Sequence, residues 1–89
     1  MEIKKEIEKK SYAVKITVEE GGETIGRAYL YFIYNGLHEN PYGLMEDVFV
    51  EEKYRGKGFG TALVQAVIAE AKERGCYKLI GQSRYGREK

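Results

Sequence analysis

Residues 44–61 have the sequence Leu-Met-Glu-Asp-Val-Phe-Val-Glu-Glu-Lys-Tyr-Arg-Gly-Lys-Gly-Phe-Gly-Thr. The stretch begins as a strand, crosses a charged turn and then places three glycines at the start of a helix: Gly56, Gly58 and Gly60. The first N–H groups of a helix have no partner within the helix, and the helix dipole is positive at that end. This arrangement predicts an anion site, to which Arg55 and Lys57 add positive charge.

The spacing of the glycines excludes two common nucleotide motifs. A dinucleotide fingerprint needs a third glycine in the sixth place, which is Thr61 when counted from Gly56. A P-loop needs a glycine five positions before the glycine of its Gly-Lys pair, and a Ser or Thr after the pair. Here Gly58 follows Gly56-Lys57, and position 51 is glutamate.

The order Arg-x-x-Gly-x-Gly does fit, with Arg55, Gly58 and Gly60 placed directly after a strand that ends in Val-Phe-Val. In these residues the chain resembles the GNAT superfamily of acyl-coenzyme A-dependent N-acetyltransferases. The signature of that superfamily is a strand, then Arg or Gln, then Gly-x-Gly or Gly-x-Ala opening a helix. The resemblance extends over roughly residues 12–83.

The resemblance implies acetyl-coenzyme A (acetyl-CoA) as the cofactor and a primary amine, on a small molecule or a protein, as the acceptor. The pyrophosphate of the cofactor would lie against the glycine turn, and its pantetheine arm would pair with the main chain at the end of the strand. The expected cofactor-binding residues are Phe49, Val50, Arg55, Gly56, Lys57, Gly58, Phe59, Gly60 and Thr61.

Two carboxylates, Glu46 and Asp47, lie inside the strand, where acidic residues are uncommon. Small-amine acetyltransferases of the superfamily share a Glu-Asp pair in this strand, so the resemblance implies Glu46 as the general base that deprotonates the amine. Asp47 is the competing candidate. A structural ion pair is the alternative role for either carboxylate.

Typical members of the superfamily continue beyond the equivalent of Ser83–Lys89 into another helix and two more strands. That helix carries a tyrosine that protonates the departing thiolate, and Tyr85 does not match its position. We therefore expect residues 1–89 to form a single acetyl-CoA-binding domain that lacks this helix and the last strands. It would be either a natural minimal member or a fragment of a longer acetyltransferase, and an open sheet edge would favour a homodimer.

Two other functions stay open from the sequence. One is a non-catalytic coenzyme A-binding or interaction module. The other is a small structural domain whose glycine turn binds only inorganic anions.

The rest of the chain predicts an α/β (α+β) fold with a mixed sheet. Ser11–Glu20 alternates between apolar and polar residues, a Gly-Gly turn follows, and Glu23–Tyr34 is apolar enough for a more central strand. Strand Leu44–Val50, a helix that ends near Arg74, and a strand at Cys76–Gln82 form a parallel βαβ unit, with the helix packed on the sheet.

Finer predictions concern which side chains share a face. Alternation places Glu46, Val48 and Val50 on one face of their strand and Met45, Asp47 and Phe49 on the other. Two apolar stripes predict a broad helix–sheet contact: Phe59, Leu63, Ala66 and Val67, and beside them Val64, Ile68 and Ala71. The pattern of residues 1–10 predicts a short edge strand, in which the lysines would discourage pairing with a strand of another chain.

Composition limits the other functions. The chain has 89 residues and a net charge of +1, so it lacks the basic excess of a nucleic-acid-binding protein. One cysteine and one histidine provide neither an internal disulfide nor a metal-binding cluster. With no apolar run of membrane-spanning length and no signal-peptide core, we expect a cytoplasmic protein.

Several other residues have ordinary structural interpretations. His38 and Glu39 are expected to be exposed loop residues, with contact to the acceptor as the functional alternative. Cys76 is expected to be a small buried residue and not a nucleophile. Tyr29, Tyr31 and Tyr34 are expected to pack on the sheet, with a substrate groove as the alternative.

Overall fold

The computed structural model of the chain describes residues 1–81, which form a four-stranded sheet with one long helix packed on it. The elements are β1 (Tyr12–Glu20), β2 (Glu23–Ile33), β3 (Tyr42–Val50), a short 3₁₀ helix (Glu52–Tyr54), α1 (Phe59–Glu73) and β4 (Leu79–Gly81). The strands lie in the order β1-β2-β3-β4, and all neighbours are antiparallel except β3 and β4, which are parallel. This confirms the mixed sheet and its parallel strand–helix–strand unit.

β2 is an inner strand of the sheet, and every second side chain along its middle is completely buried. Ala28, Leu30 and Phe32 have no exposed surface. The apolar side of the neighbouring edge strand β1, formed by Val14, Ile16 and Val18, packs at the margin of the same core. The hairpin between β1 and β2 turns at Gly21-Gly22, as predicted, with positive φ at both glycines.

α1 packs on this core through one narrow stripe. Leu63, Val67 and Ala71, spaced four residues apart, are its buried side chains. The contact is narrower than predicted: Phe59 and Val64 are half-buried, but Ala66 is exposed and 38% of Ile68 is exposed. Within residues 1–81 there is no second long helix beside α1, so its fully buried side chains are limited to the stripe that faces the sheet.

Both ends of α1 lie where the glycines predict them. Gly58 is the N-terminal cap with φ of 91°, and Gly75 follows the helix with φ of 80°. Arg74 donates hydrogen bonds to the carboxylate of Glu70 and, at 3.3 Å, to the hydroxyl of Tyr12. The C-terminal end of the helix is thereby tied to β1.

β3 contains a bulge that the alternating pattern did not predict. Arg27 of β2 lies opposite Phe49, but Tyr29 lies opposite Glu46. One residue of β2, Ala28, therefore spans two residues of β3. A bulge of this kind shifts the side chains that follow to the other face of the sheet.

The bulge overturns the predicted faces of β3. Asp47 is the only non-glycine residue with a positive φ, 61°, among the described residues, and Asp tolerates this conformation better than most residues. Glu46 consequently shares a face with Phe49. Met45, Val48 and Val50 pack on the opposite, core side of the strand.

Two predictions at the ends of the chain also need correction. Residues 1–11 contain no strand or helix, because two apolar side chains, Ile3 and Ile7, offer too little burial to offset the entropy of ordering a strand; they are 80% and 83% exposed. β4 is shorter than predicted and begins only at Leu79. The predicted strand residue Gln82 and the tail Ser83–Lys89 lie outside the described residues.

α1 covers one face of the sheet, and within residues 1–81 no helix or strand covers the other. We call this second surface the open face. Cross-strand pairing defines two of its rows: Lys15, Tyr29 and Glu46 in one, and Thr17, Arg27 and Phe49 in the other.

Candidate functional site

The turn from β3 to α1 ends in a helix N-terminus without a side-chain cap. Residues Glu52–Tyr54 make a single 3₁₀ turn, and Gly56 and Gly58 then take up φ values of 79° and 91°. No side chain hydrogen-bonds to the first amides of α1, and no acidic residue lies in its first turn. The free N–H groups and the positive end of the dipole at Phe59, Gly60 and Thr61 can therefore receive an anion.

The three glycines of the turn are needed for different reasons. At Gly56 and Gly58 an added Cβ would meet no atom within 4 Å, so the positive φ is what favours glycine there. Gly60 lies within the helix, and an added Cβ would come no nearer than 3.9 Å to the Cγ2 of Val50, an ordinary contact. The packing of the chain itself therefore does not require glycine at position 60, although glycine costs a helix about 1 kcal/mol relative to alanine.

Arg55 links the turn to the end of β3. Its Nε donates a hydrogen bond of 2.7 Å to the carbonyl of Val50, and its guanidinium lies 5.4 Å from the centroid of the Phe49 ring. Lys53 lies over the ring of Tyr54 at 5.5 Å, and Lys57 is exposed. The segment that leads into the free end of the helix therefore carries three cationic side chains.

β3 offers an unpaired stretch of backbone beside this turn. On the side away from β2, its pairing with β4 covers only Gly43, Leu44 and Met45. From Glu46 to Val50 no strand of the described chain pairs with that edge. Alternate N–H and C=O groups along this stretch point away from β2 and can pair with an extended ligand, except that the carbonyl of Val50 already accepts a hydrogen bond from Arg55.

The two acidic residues of β3 have different surroundings. Asp47 Oδ2 forms an ion pair of 3.2 Å with Arg27 Nε. Glu46 is half-buried on the open face, opposite Tyr29. Tyr29 in turn stacks on Tyr31, with ring centroids 6.1 Å apart and an interplanar angle of 12°. The structure brings Glu46, Asp47 and Phe49 to one side of the sheet.

Arg27 is the residue that the sequence analysis missed. Its guanidinium lies 4.9 Å from the centroid of the Phe49 ring, so Phe49 contacts both Arg27 and Arg55. One signal was available in the sequence, because Arg27 interrupts the otherwise apolar strand between Ile25 and Ala28.

The predicted loop residues are remote from the glycine turn. His38 and Glu39 are exposed in the loop that precedes β3, whereas the turn follows β3. The His38 ring stacks on Tyr77 at a centroid distance of 4.0 Å. Cys76 is half-buried at the margin of the core, and burial raises the pKa of its thiol, which favours a structural role.

Within residues 1–81 no three His, Cys, Asp or Glu side chains converge on a point where a metal ion could bind. The same part of the chain contains no helix of the length and apolarity needed to cross a membrane.

Comparison with known proteins identifies relatives of the whole described fold. The profile of the acetyltransferase (GNAT) family matches residues 2–84. The aminoglycoside N(6')-acetyltransferase type 1 of Stenotrophomonas maltophilia is 35% identical over 75 residues, which make up 81% of this chain and 49% of that protein. The thialysine N-epsilon-acetyltransferase of Mus musculus is 36% identical over 58 residues, 64% of this chain and 33% of that protein.

A solved structure shows the same architecture. The crystal structure of glucosamine-6-phosphate N-acetyltransferase from Arabidopsis thaliana superposes with a TM-score of 0.75 at 27% identity, over 84% of this chain and 53% of that chain. The present chain therefore spans about half the length, or less, of the relatives described here.

Proposed function

The chain belongs to the acetyltransferase (GNAT) family, and from that premise we propose that it binds acetyl-CoA and transfers the acetyl group to a primary amine. Acetyltransferases of this family use acetyl-CoA as their acetyl donor. We further propose that residues 1–89 act as one acetyl-CoA-binding domain and that the reaction takes place in the cytoplasm.

The uncapped N-terminus of α1 is the observation that carries the cofactor proposal. No side chain hydrogen-bonds to its first amides, no acidic residue lies in its first turn, and at Gly56 and Gly58 an added Cβ would meet no atom within 4 Å. A phosphate group can therefore approach the free amides closely. The pyrophosphate of coenzyme A has the charge and the compact shape for this position.

The remaining cofactor contacts follow from the same geometry. Arg55 and Lys57 would neutralise the pyrophosphate, while the amides of Phe59, Gly60 and Thr61 donate to it. The unpaired edge of β3 up to Phe49 and Val50 would pair with the amides of the pantetheine arm. An N–H of that edge would also donate to the thioester oxygen.

Glu46 is the proposed general base. As the amine nitrogen bonds to the acetyl carbon, the bond from that carbon to the sulfur of coenzyme A breaks, and the departing thiolate takes up a proton from water. The amine must lose a proton in the same reaction. Glu46 takes up that proton, directly or through water, from its half-buried position on the open face. Asp47 is the weaker candidate, because its carboxylate already forms an ion pair with Arg27.

The proposal is tested by titrating the chain with coenzyme A and following amide chemical shifts or the melting temperature. Binding at millimolar or lower concentration is expected, and Gly58→Asp should abolish it by placing a Cβ and a carboxylate in the pyrophosphate site. Absence of any response in the unmodified chain would refute both the enzyme and the coenzyme A-binding module. It would leave a structural domain that binds simple anions.

Catalysis is tested separately by the release of free thiol from acetyl-CoA in the presence of amines. The acceptors to compare are an aminoglycoside, glucosamine 6-phosphate and thialysine, which are named for the relatives. A lysine peptide is added to represent a protein amine. If the chain binds coenzyme A but acetylates none of these acceptors, the result would favour the non-catalytic module.

We also propose that two copies pair through the open edge of the sheet at β4. Within the described chain β4 has only one strand neighbour, β3, so its other edge offers backbone groups for pairing. Sedimentation over a range of concentrations should then show a dimer, and a monomer at all concentrations would exclude the pairing.

A further inference from the structure

The position of Glu46 on the open face depends on the bulge in β3. In a regular strand Glu46 would share a face with Val48 and Val50, whose side chains pack toward the helix-covered core. The additional residue between the pairs Tyr29–Glu46 and Arg27–Phe49 reverses this relationship. Without the bulge, the carboxylate would be directed into an apolar core that offers it no partner.

The bulge is formed around a backbone conformation that few residues adopt. Asp47 has φ of 61°, in the left-handed region. Such a conformation persists only where its surroundings hold it, and it is found preferentially at functional sites. The surroundings of Asp47 therefore decide whether Glu46 keeps its orientation.

Arg27 provides the side-chain contact that holds Asp47. Its Nε lies 3.2 Å from Asp47 Oδ2, and its guanidinium lies 4.9 Å from the Phe49 ring centroid. It thus contacts one residue on each side of Val48, across the whole width of the bulge. Because the two ionised side chains are 38% and 55% exposed, the ion pair adds little to global stability. Its effect is on local geometry.

We propose that Arg27 is a positioning residue: by holding the left-handed Asp47 and the Phe49 ring, it fixes the bulge that directs Glu46 to the acceptor. This role goes beyond the assignment of Glu46 as base, and its catalytic consequence rests on the proposed acetyl transfer.

The test compares Arg27→Gln and Arg27→Lys with the unmodified chain. Arg27→Gln removes the charge, so we expect at least a tenfold lower kcat with less than a threefold change in the KM for acetyl-CoA. Arg27→Lys can still pair with Asp47 and should recover most of that loss. Lys72→Gln removes an exposed cation of α1, on the other side of the sheet, and it should leave kcat unchanged.

A structural readout keeps this test independent of activity. In the unmodified chain, NMR contacts between Tyr29 and Glu46 and a positive φ at Asp47 should report the bulge. In Arg27→Gln these signals should weaken, while the helix–sheet contacts persist. Unchanged bulge signals in Arg27→Gln would overturn the proposal, as would an unchanged kcat.

The same readout separates this inference from the proposed function. If the unmodified chain acetylates no amine, the proposed function fails on that result alone. The NMR signals of Arg27→Gln would still decide whether Arg27 holds the bulge.

Discussion

Glu46 and Phe49 lie three residues apart in β3 and yet face the same side of the sheet. Three residues along a regular strand would place them on opposite faces. The additional residue at the bulge returns both side chains to the same face. Their partners on β2, Tyr29 and Arg27, are two residues apart and therefore share one face. A proposed proton acceptor and a proposed cofactor contact are thereby combined on the face that α1 leaves open.

Replacing Glu46 with glutamine should remove turnover and preserve cofactor binding. Glutamine keeps the size of the side chain but cannot accept the proton at neutral pH, and a general base typically contributes about 10²–10⁴-fold in rate. Thiol release and coenzyme A titration measure the two effects separately. Glu39→Gln, in the exposed loop before β3, is the matched control and should behave as the unmodified chain. Equal activity of the two variants would exclude Glu46 as the base.

Gly60→Ala should raise stability and preserve cofactor binding. Alanine favours a helix by about 1 kcal/mol over glycine and meets no close contact here, so the melting temperature should rise. The added methyl group would lie nearest to the Cγ2 of Val50, and the family signature accepts alanine at this place, so the affinity for coenzyme A should stay close to that of the unmodified chain. The reverse change at an exposed helix position, Ala66→Gly, should lower the melting temperature without altering affinity. A large loss of affinity in Gly60→Ala would contradict the prediction.

Leu63 and Ile68 should differ greatly in their contribution to stability, although both are apolar residues of α1. Leu63 is fully buried, so Leu63→Ala should cost about 2–5 kcal/mol in the free energy of unfolding. Ile68 is 38% exposed, so Ile68→Ala should cost about 1 kcal/mol or less. Urea unfolding measures both, and similar losses would indicate that the second apolar stripe is covered after all. If Leu63→Ala does not fold, the Ile68→Ala result still tests the narrow contact.

Cys76 should make stability depend on pH in the alkaline range. Burial raises the pKa of its thiol in the folded chain, so the folded state retains the proton at pH values where the unfolded chain loses it. This contribution is complete below about pH 8.5, the ordinary cysteine pKa, and is lost as the pH rises through the folded pKa. The difference in unfolding free energy between the unmodified chain and Cys76→Ala should therefore shrink between pH 7 and pH 10. A constant difference would contradict the prediction.

The candidate anion site was largely predictable because its parts are local in sequence. Strand, turn, glycines and helix start follow one another from Leu44 to Thr61, so chain order alone places them together. The ends of α1 were predictable for the same reason, since Gly58 and Gly75 act within one turn of the helix. The width of the buried surface on α1 was not predictable from the sequence. Ile68 and Ala66 fit the helical spacing of apolar residues, but whether they are covered depends on the neighbouring elements.

By itself the sequence determined the order of the strands and the helix, the glycine turn with its cations, and the family signature, because these depend on local propensity and spacing. The tertiary structure alone decided which face receives Glu46 and which residue holds it there. Arg27 lies twenty positions from Asp47 along the chain, and only the pairing of β2 with β3 brings the two together. The bulge that results depends on backbone geometry, to which an alternating pattern of apolar and polar residues is insensitive.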